Sequence, residues 1–353
     1  MKGIIRDISF KALLKIMKFS KTHELFRPFY GGFGHILKFH RVIPAQQKGI
    51  RFNQDLEVTP EELENCIKFC LERNYDIISL DDLYIRLQKK NNKLPNNFVV
   101  FTFDDGYVDC YRHAYPILRK YHVPFSVNIS PGLIECRSLV WWYLLEDLLL
   151  HHRSVILVNR QEKVVYNCRK KLEKCVVFRR LRKQILNAGK AEYHQLLDQL
   201  FQRYHVDATG QSVSLLMTWE QIREMARDPL VTIAAHTDQH LPLSRCPEGE
   251  VIEEISRSRE QIEQAIGRPV EHFAYPYGHR EAGSREFAIV KSLGFKTGIT
   301  TRFGNIFPEH HQHLESLPSL YKIGNIGKAK FLDVLTSGAI SALSYKMNKV
   351  ITV

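Results

Sequence analysis

The sequence predicts an α/β chain folded as a distorted (β/α) barrel, and three observations carry that expectation. Apolar strand-like runs alternate with amphipathic helical stretches along most of the 353 residues. The polar residues best suited to chemistry each follow directly on one of those runs. No internal repeat or low-complexity tract interrupts the pattern.

The strand-like runs cover 36–39, 77–80, 98–103, 125–129, 231–235, 272–275 and 297–300, with helical patterns at 61–73, 251–266 and 284–293 among others. Alternating β and α implies a parallel sheet covered by helices. His40, Asp104, Asp105, His236 and Pro276 all fall just past strand C-termini, where an α/β barrel builds its site. An open doubly wound sheet puts ligands at the same ends and is the alternative. Asp81-Asp82 has a plainer reading: it opens the run Leu83-Tyr84-Ile85-Arg86-Leu87 and complements a helix dipole.

Residues 136–214 break the alternation. They open on Trp141-Trp142, pass through a possible hairpin at 154–166, and continue as basic helical sequence. We read 34–353 as the barrel, 136–214 as a helical insertion on its rim, and 1–33 as a basic amphipathic N-terminal segment. Trp142 or Trp141 is expected either to stack on a flat face of a bound ligand, a sugar if the resemblance given below holds, or to be buried where insertion meets barrel, since indole suits both roles.

The net charge of +12 is unevenly spread. Residues 1–51 hold eleven Lys/Arg against two Asp/Glu and residues 151–203 hold thirteen against four, so the remainder is acidic by 6. A basic periphery attracts nucleic acid, an anionic membrane or an acidic glycan. Nucleic acid is not expected, because no zinc-finger spacing or RNA-binding aromatic motif accompanies the charge. In residues 1–21, Ile4, Ile5, Ile8, Leu13, Leu14, Ile16, Met17 and Phe19 interleave with six Lys/Arg. Such a stretch suits an interface or an ordinary packed helix, and no apolar window of about 18 residues is available to span a bilayer. Seven Cys with no Cys-x-x-Cys pair and no secretory h-region fit free thiols in a reducing compartment. The expected location is therefore cytoplasmic, with an anionic membrane surface as a peripheral partner. Cys66 and Cys70 share a helical face and read as core.

Two polar clusters carry the chemistry: Thr102-Phe103-Asp104-Asp105-Gly106-Tyr107 and His236-Thr237-Asp238-Gln239-His240. If the second makes a helical turn, its two imidazoles lie about 5 to 6 Å apart at Cβ and can grip one ion at about 2.0 to 2.1 Å. One carboxylate completes a set that leaves positions open for water and substrate, the catalytic pattern of zinc or a similar metal. A break at Gly106 would let one Asp bind metal while its neighbour faces the water. Each motif alone is more often structural than catalytic.

With a third segment, Phe273-Ala274-Tyr275-Pro276-Tyr277-Gly278, the chain resembles the polysaccharide deacetylase, or NodB-homology, family of carbohydrate esterases. Family members carry a Thr-Phe-Asp-Asp-Gly segment, a His-Ser/Thr-x-x-His segment and a later Pro-Tyr-Gly. Met217-Thr218-Trp219-Glu220, Leu241-Pro242-Leu243-Ser244 and Gly267-Arg268-Pro269-Val270 resemble the bacterial branch acting on exopolysaccharide or lipopolysaccharide. The resemblance covers roughly residues 34–135 and 215–340.

The resemblance implies metal-dependent removal of N-acetyl, or sometimes O-acetyl, groups from a polysaccharide or lipid-linked glycan. Asp105, His236 and His240 would hold one divalent ion, zinc first and cobalt, nickel or manganese as alternatives. Asp104 would be the base, and the Tyr277 N–H, between Pro276 and Gly278, the oxyanion donor. Two departures matter. Ala274 stands where members often carry an Arg that orients the base, and no Leu-x-His follows His313. A permuted branch supplies the acid from an N-terminal segment like Phe39-His40-Arg41-Val42, making His40 the candidate and His279 its rival. His310, His311 and His313 read as solvated, and His272 starts a strand at the wrong end. The alternative is an inactive glycan-binding or membrane-surface protein on the same fold.

Overall fold

The computed structural model describes residues 2–45, 51–89, 97–159, 162–278, 282–321 and 331–351. Among the described residues the main sheet has eight parallel strands, a short one at Asp76–Ile77 and seven that form the barrel wall: β1 (Gly34–Phe39), β2 (Phe98–Phe103), β3 (Phe125–Ile129), β4 (Val231–Ala235), β5 (His272–Ala274), β6 (Thr297–Phe303) and β7 (Leu317–Ser319). They neighbour one another in chain order. Every residue of β1, β2 and β3 is buried, as expected of parallel strands covered on both faces. Beyond β7 the chain returns to β1 through Leu320, whose N–H donates to Ile36 O at 2.7 Å and whose carbonyl accepts from Lys38 N–H at 3.0 Å. That ladder nearly closes the sheet and rules out the open doubly wound alternative.

The flanking helices start where their sequence signals say they should. Pro60–Glu72 and Leu80–Gln88 are each opened by a capping box, Thr59 with Glu62 and Ser79 with Asp82. Asp81-Asp82 is thus a helix start. The same cap corrects the strand expected at 77–80: only Asp76–Ile77 pairs with β2, because Ser79 ends the extended run and Leu80 begins the helix. Helix Glu248–Ile266 stops at Gly267, whose φ of 71° is left-handed. Inside, Phe39 stacks on Phe101 and Phe103, with centroids 5.7 and 5.2 Å apart, and Phe103 meets Phe125 edge-on. Cys66 and Cys70 are buried in the same core.

Within 136–214 lie helix Trp141–His151, an antiparallel hairpin of Ser154–Asn159 with Glu162–Asn167, and helices Lys171–Asn187, Lys190–Arg203 and Ala208–Leu215. At the N-terminus, helix Lys2–Ser20 buries Leu14 and Met17. No described helix is long and apolar enough to cross a membrane.

Candidate metal centre

The strands deliver the site from their C-terminal ends. β2 hands over to Asp104 and Asp105, β4 to His236, β1 to His40, and β5 to Pro276 and Tyr277. The handovers are sharply bent. Asp105, Thr237, His240 and Tyr277 all hold left-handed φ, at 73°, 61°, 55° and 58°. Non-glycine residues seldom adopt that region, and surrounding structure must enforce it. The turn after Asp104 therefore begins at Asp105 and continues through Gly106, φ 71°, so the two carboxylates diverge a residue earlier than a glycine-only break would allow. The segment 236–240 is not helical. Its imidazoles converge instead through a tight turn in which the His240 N–H donates to Thr237 Oγ1 at 3.0 Å, correcting the helical-turn expectation.

Asp105, His236 and His240 each offer one ligand atom, all within 4.8 Å of one another and all buried. Asp105 Oδ1 is 3.3 Å from His236 Nε2 and 3.1 Å from His240 Nε2, yet no well-aligned hydrogen bond reaches that oxygen. His236 Nδ1 donates to the Ala274 carbonyl at 2.7 Å, which places its proton there and leaves Nε2 as a lone pair. His240 Nδ1 lies 3.3 Å from the Tyr277 hydroxyl. Burial pushes the His240 imidazole below its usual value, against the pull of Asp105. Burial would raise the Asp105 carboxyl, but His240 and His236 outweigh it and hold it well below the carboxylate range. An ionised carboxylate and imidazole lone pairs converging on one buried point fit a divalent cation, with second-sphere partners fixing the rings.

Asp104 stands beside this cluster in a different environment. Its Oδ1 accepts from Asn128 Nδ2 at 2.5 Å, and Lys38 Nζ is 2.8 Å from Oδ2. The Lys38 contact lacks hydrogen-bond alignment, so it is chiefly one of charge. Burial would raise the Asp104 carboxyl, but the Lys38 ammonium, with His236 and His40, holds it below the usual value. Lys38 thus supplies the cation that Ala274 cannot. His40 Nε2 is 3.9 Å from Asp104 Oδ2, so the structure brings His40 beside Asp104; His279 lies outside the described residues.

The remaining expected residues divide. Gly278 is required by space: a Cβ there would sit 2.7 Å from the Thr301 nitrogen. No described residue accepts the Tyr277 N–H. Trp142 is 4 % exposed, its ring centroid is 5.1 Å from that of His240, and its Nε1–H donates to the Tyr107 hydroxyl at 2.9 Å. Trp141 meets it edge-on at 5.7 Å, so with its polar tip engaged and almost none of its surface exposed, Trp142 shapes the His240 side of the site. Trp141, fully buried, donates to the Tyr277 hydroxyl at 3.2 Å. His310 corrects the solvated reading: it is fully buried, and its Nδ1 accepts the Phe307 N–H at 3.0 Å. His272 is buried against Thr297 and Asp81, away from the centre.

Three supporting residues escaped the sequence reading. Lys38 left a signal, a lone cation inside the apolar run His35-Ile36-Leu37-Lys38-Phe39. Asn128 left only a faint one, a polar residue within a buried strand. Arg137 left none, yet its guanidinium grips buried Asp238 at 2.9 and 2.7 Å and so pins the turn between the two histidines.

Comparison with known proteins agrees with this fold. The Streptococcus pyogenes deacetylase PplD, solved with acetate, superposes with TM-score 0.55 at 19% identity, over 85% of this chain and 97% of that one. IcaB of Ammonifex degensii does so at TM-score 0.55 and 17% identity, over 88% and 98%. A de-N-acetylase from Aggregatibacter actinomycetemcomitans gives TM-score 0.52 at 16% identity, over 85% and 99%. At such identities the likeness is one of fold. In sequence, a Bacillus subtilis protein, YxkH, whose name provisionally makes it a polysaccharide deacetylase, is 33% identical over 78 residues, which is 22% of this chain and 28% of that protein. The polysaccharide deacetylase family model matches residues 91–138 and 185–298, stretches that between them carry Asp104, Asp105, His236, His240 and the Pro-Tyr-Gly turn. By that match and the shared barrel, the chain belongs to the polysaccharide deacetylase family.

Proposed function

We propose that the protein is a metal-dependent hydrolase that removes N-acetyl groups from a sugar of a polysaccharide or lipid-linked glycan. One observation carries this reading: a buried carboxylate, Asp104, is held ionised by Lys38 directly beside, but outside, a two-His, one-Asp cluster. An ion in that cluster, zinc or alternatively cobalt, nickel or manganese, would supply Lewis acidity and lower the pKa of a water toward about 7. Asp105, His236 and His240 would hold it. Asp104 takes the proton from the attacking water. As the water oxygen bonds to the acetamide carbon, the Tyr277 N–H stabilises the oxyanion, with Pro276 and Gly278 fixing that turn. His40 then protonates the departing amine as the carbon–nitrogen bond breaks. His40 Nε2 lies 3.9 Å from Asp104 Oδ2, a gap that one water bridges, so the proton Asp104 gains is returned to the amine by way of His40.

Acetate release from a panel of N-acetylhexosamine oligosaccharides tests the proposal. Wild-type protein should release acetate, and Asp104→Asn should keep its metal while losing most turnover, because an amide does not accept the proton. Absence of acetate from the whole panel, or near-wild-type release by Asp104→Asn, would overturn it.

A further inference from the structure

Helix Lys2–Ser20 carries more apolar surface than its packing uses. Over residues 10–20, Leu14 and Met17 form the buried line, against helix Leu332–Thr336. With 3.6 residues per turn, Leu13, Ile16 and Phe19 fall on one side of that line and Lys11, Lys15 and Lys18 on the other. The two strips meet on the outward face, where Lys15 and Phe19 are one turn apart. Leu13, Ile16 and Phe19 are 37%, 63% and 94% exposed, and the same segment goes on to Leu25 and Phe29 at 73% and 63%.

Scattered exposed apolar residues need no explanation, but this set is ordered. It adjoins a row of lysines in a stretch, 8–23, that contains no Asp or Glu. Lys11, Lys15 and Lys21 have no ion pair with any described residue. A core-facing helix would need only Leu14 and Met17. An apolar strip beside unneutralised lysines is the arrangement of a helix lying in a lipid interface, with side chains at the acyl boundary and ammonium groups at the phosphates.

We propose that this N-terminal face docks the protein onto an anionic phospholipid surface, with Leu13, Ile16 and Phe19 entering the interface and Lys11, Lys15 and Lys21 meeting the headgroups. The docking is independent of the hydrolase reading, since an inactive protein would bind in the same way.

The test is co-sedimentation of the full chain with phosphatidylcholine vesicles, with and without roughly one-third phosphatidylglycerol, across a salt series. Wild-type protein should bind the anionic vesicles, bind pure phosphatidylcholine far more weakly, and release as salt rises. The double variant I16S/F19S should weaken binding by at least about tenfold, and the triple variant K11Q/K15Q/K21Q should remove the preference for the anionic lipid. L13S, at a separate position on the same strip, keeps the test valid if the double variant fails to fold. Equal sedimentation of wild type with both vesicles, or of variants and wild type with the anionic ones, would overturn the proposal. So would a wild-type dimer, dispersed by I16S/F19S, that shows no vesicle binding, because a second copy would then be the occupant.

Discussion

Lys38 and Asp104 form a buried ion pair whose worth can be measured without knowing the substrate. Lys38→Met keeps most of the aliphatic stem and deletes the charge, leaving Asp104 ionised in a site only 2 % exposed. Breaking a buried pair by removing one partner costs about 3 to 5 kcal/mol. The lower end, about 3 kcal/mol, is expected here, because Asn128 and His40 still face the carboxylate at 2.5 and 3.9 Å. Asp104→Asn should cost a similar amount by stranding the ammonium of Lys38, whose side chain is wholly inaccessible. The double variant removes both charges and should return to within about 1 kcal/mol of wild type, since replacing a whole buried pair is often neutral. Urea denaturation of the four proteins, stripped of metal so that only the chain's own charges enter, gives the coupling energy. Costs that simply add, within about 0.5 kcal/mol, would refute the claim that Lys38 is present to hold Asp104.

Other outcomes follow from the same geometry. His40→Ala should keep metal and fold but lose turnover by about 10² to 10⁴-fold, with substrates of better leaving group hurt less; if His279→Ala shows that pattern and His40→Ala does not, the acid is misassigned. Stability should fall with acidification between about pH 6.5 and 4, because burial depresses His35 and His310 to about 4. In that window the unfolded chain takes up protons that the folded chain refuses, at a cost of up to about 3 kcal/mol for each histidine. His35→Gln should flatten the slope of unfolding free energy against pH, and an unchanged slope would count against the burial argument. Arg137→Ala should lower metal affinity by about 10- to 100-fold, the usual effect of losing an outer-sphere support, and an unchanged dissociation constant would show that the turn at Asp238 stands without it.

The barrel was legible because its strands are continuous apolar runs with helical patterns between them. β7 was not: three residues including Pro318 carry no periodicity, and tertiary contact alone fixes their pairing with β6 and the closure onto β1 through Leu320. The metal ligands were legible because their residue types follow strands directly. Their route to one point was not, since it depends on left-handed φ at Asp105, Thr237 and His240, which none of those residue types announces. Trp142 shows the same limit: its indole suits a sugar or a core, and only the positions of Tyr107 and His240 settle between them. Lys38 could have been suspected as a cation in a buried run, but its partner lies just past the end of the neighbouring strand, a pairing that sequence order does not disclose.

Calorimetric titration of chelator-stripped protein with Zn²⁺ decides whether Asp105, His236 and His240 bind the one cation on which the proposed hydrolysis depends. His23, Glu24 and Asp333 form the second cluster of ligand-like groups among the described residues, and there Arg27 and Arg73 already occupy Asp333. One tightly bound ion per chain is expected, lost in D105A, H236A and H240A and unchanged in H23A. Stoichiometric binding that survives in the triple variant D105A/H236A/H240A, or that disappears in H23A, would show that the ion sits elsewhere.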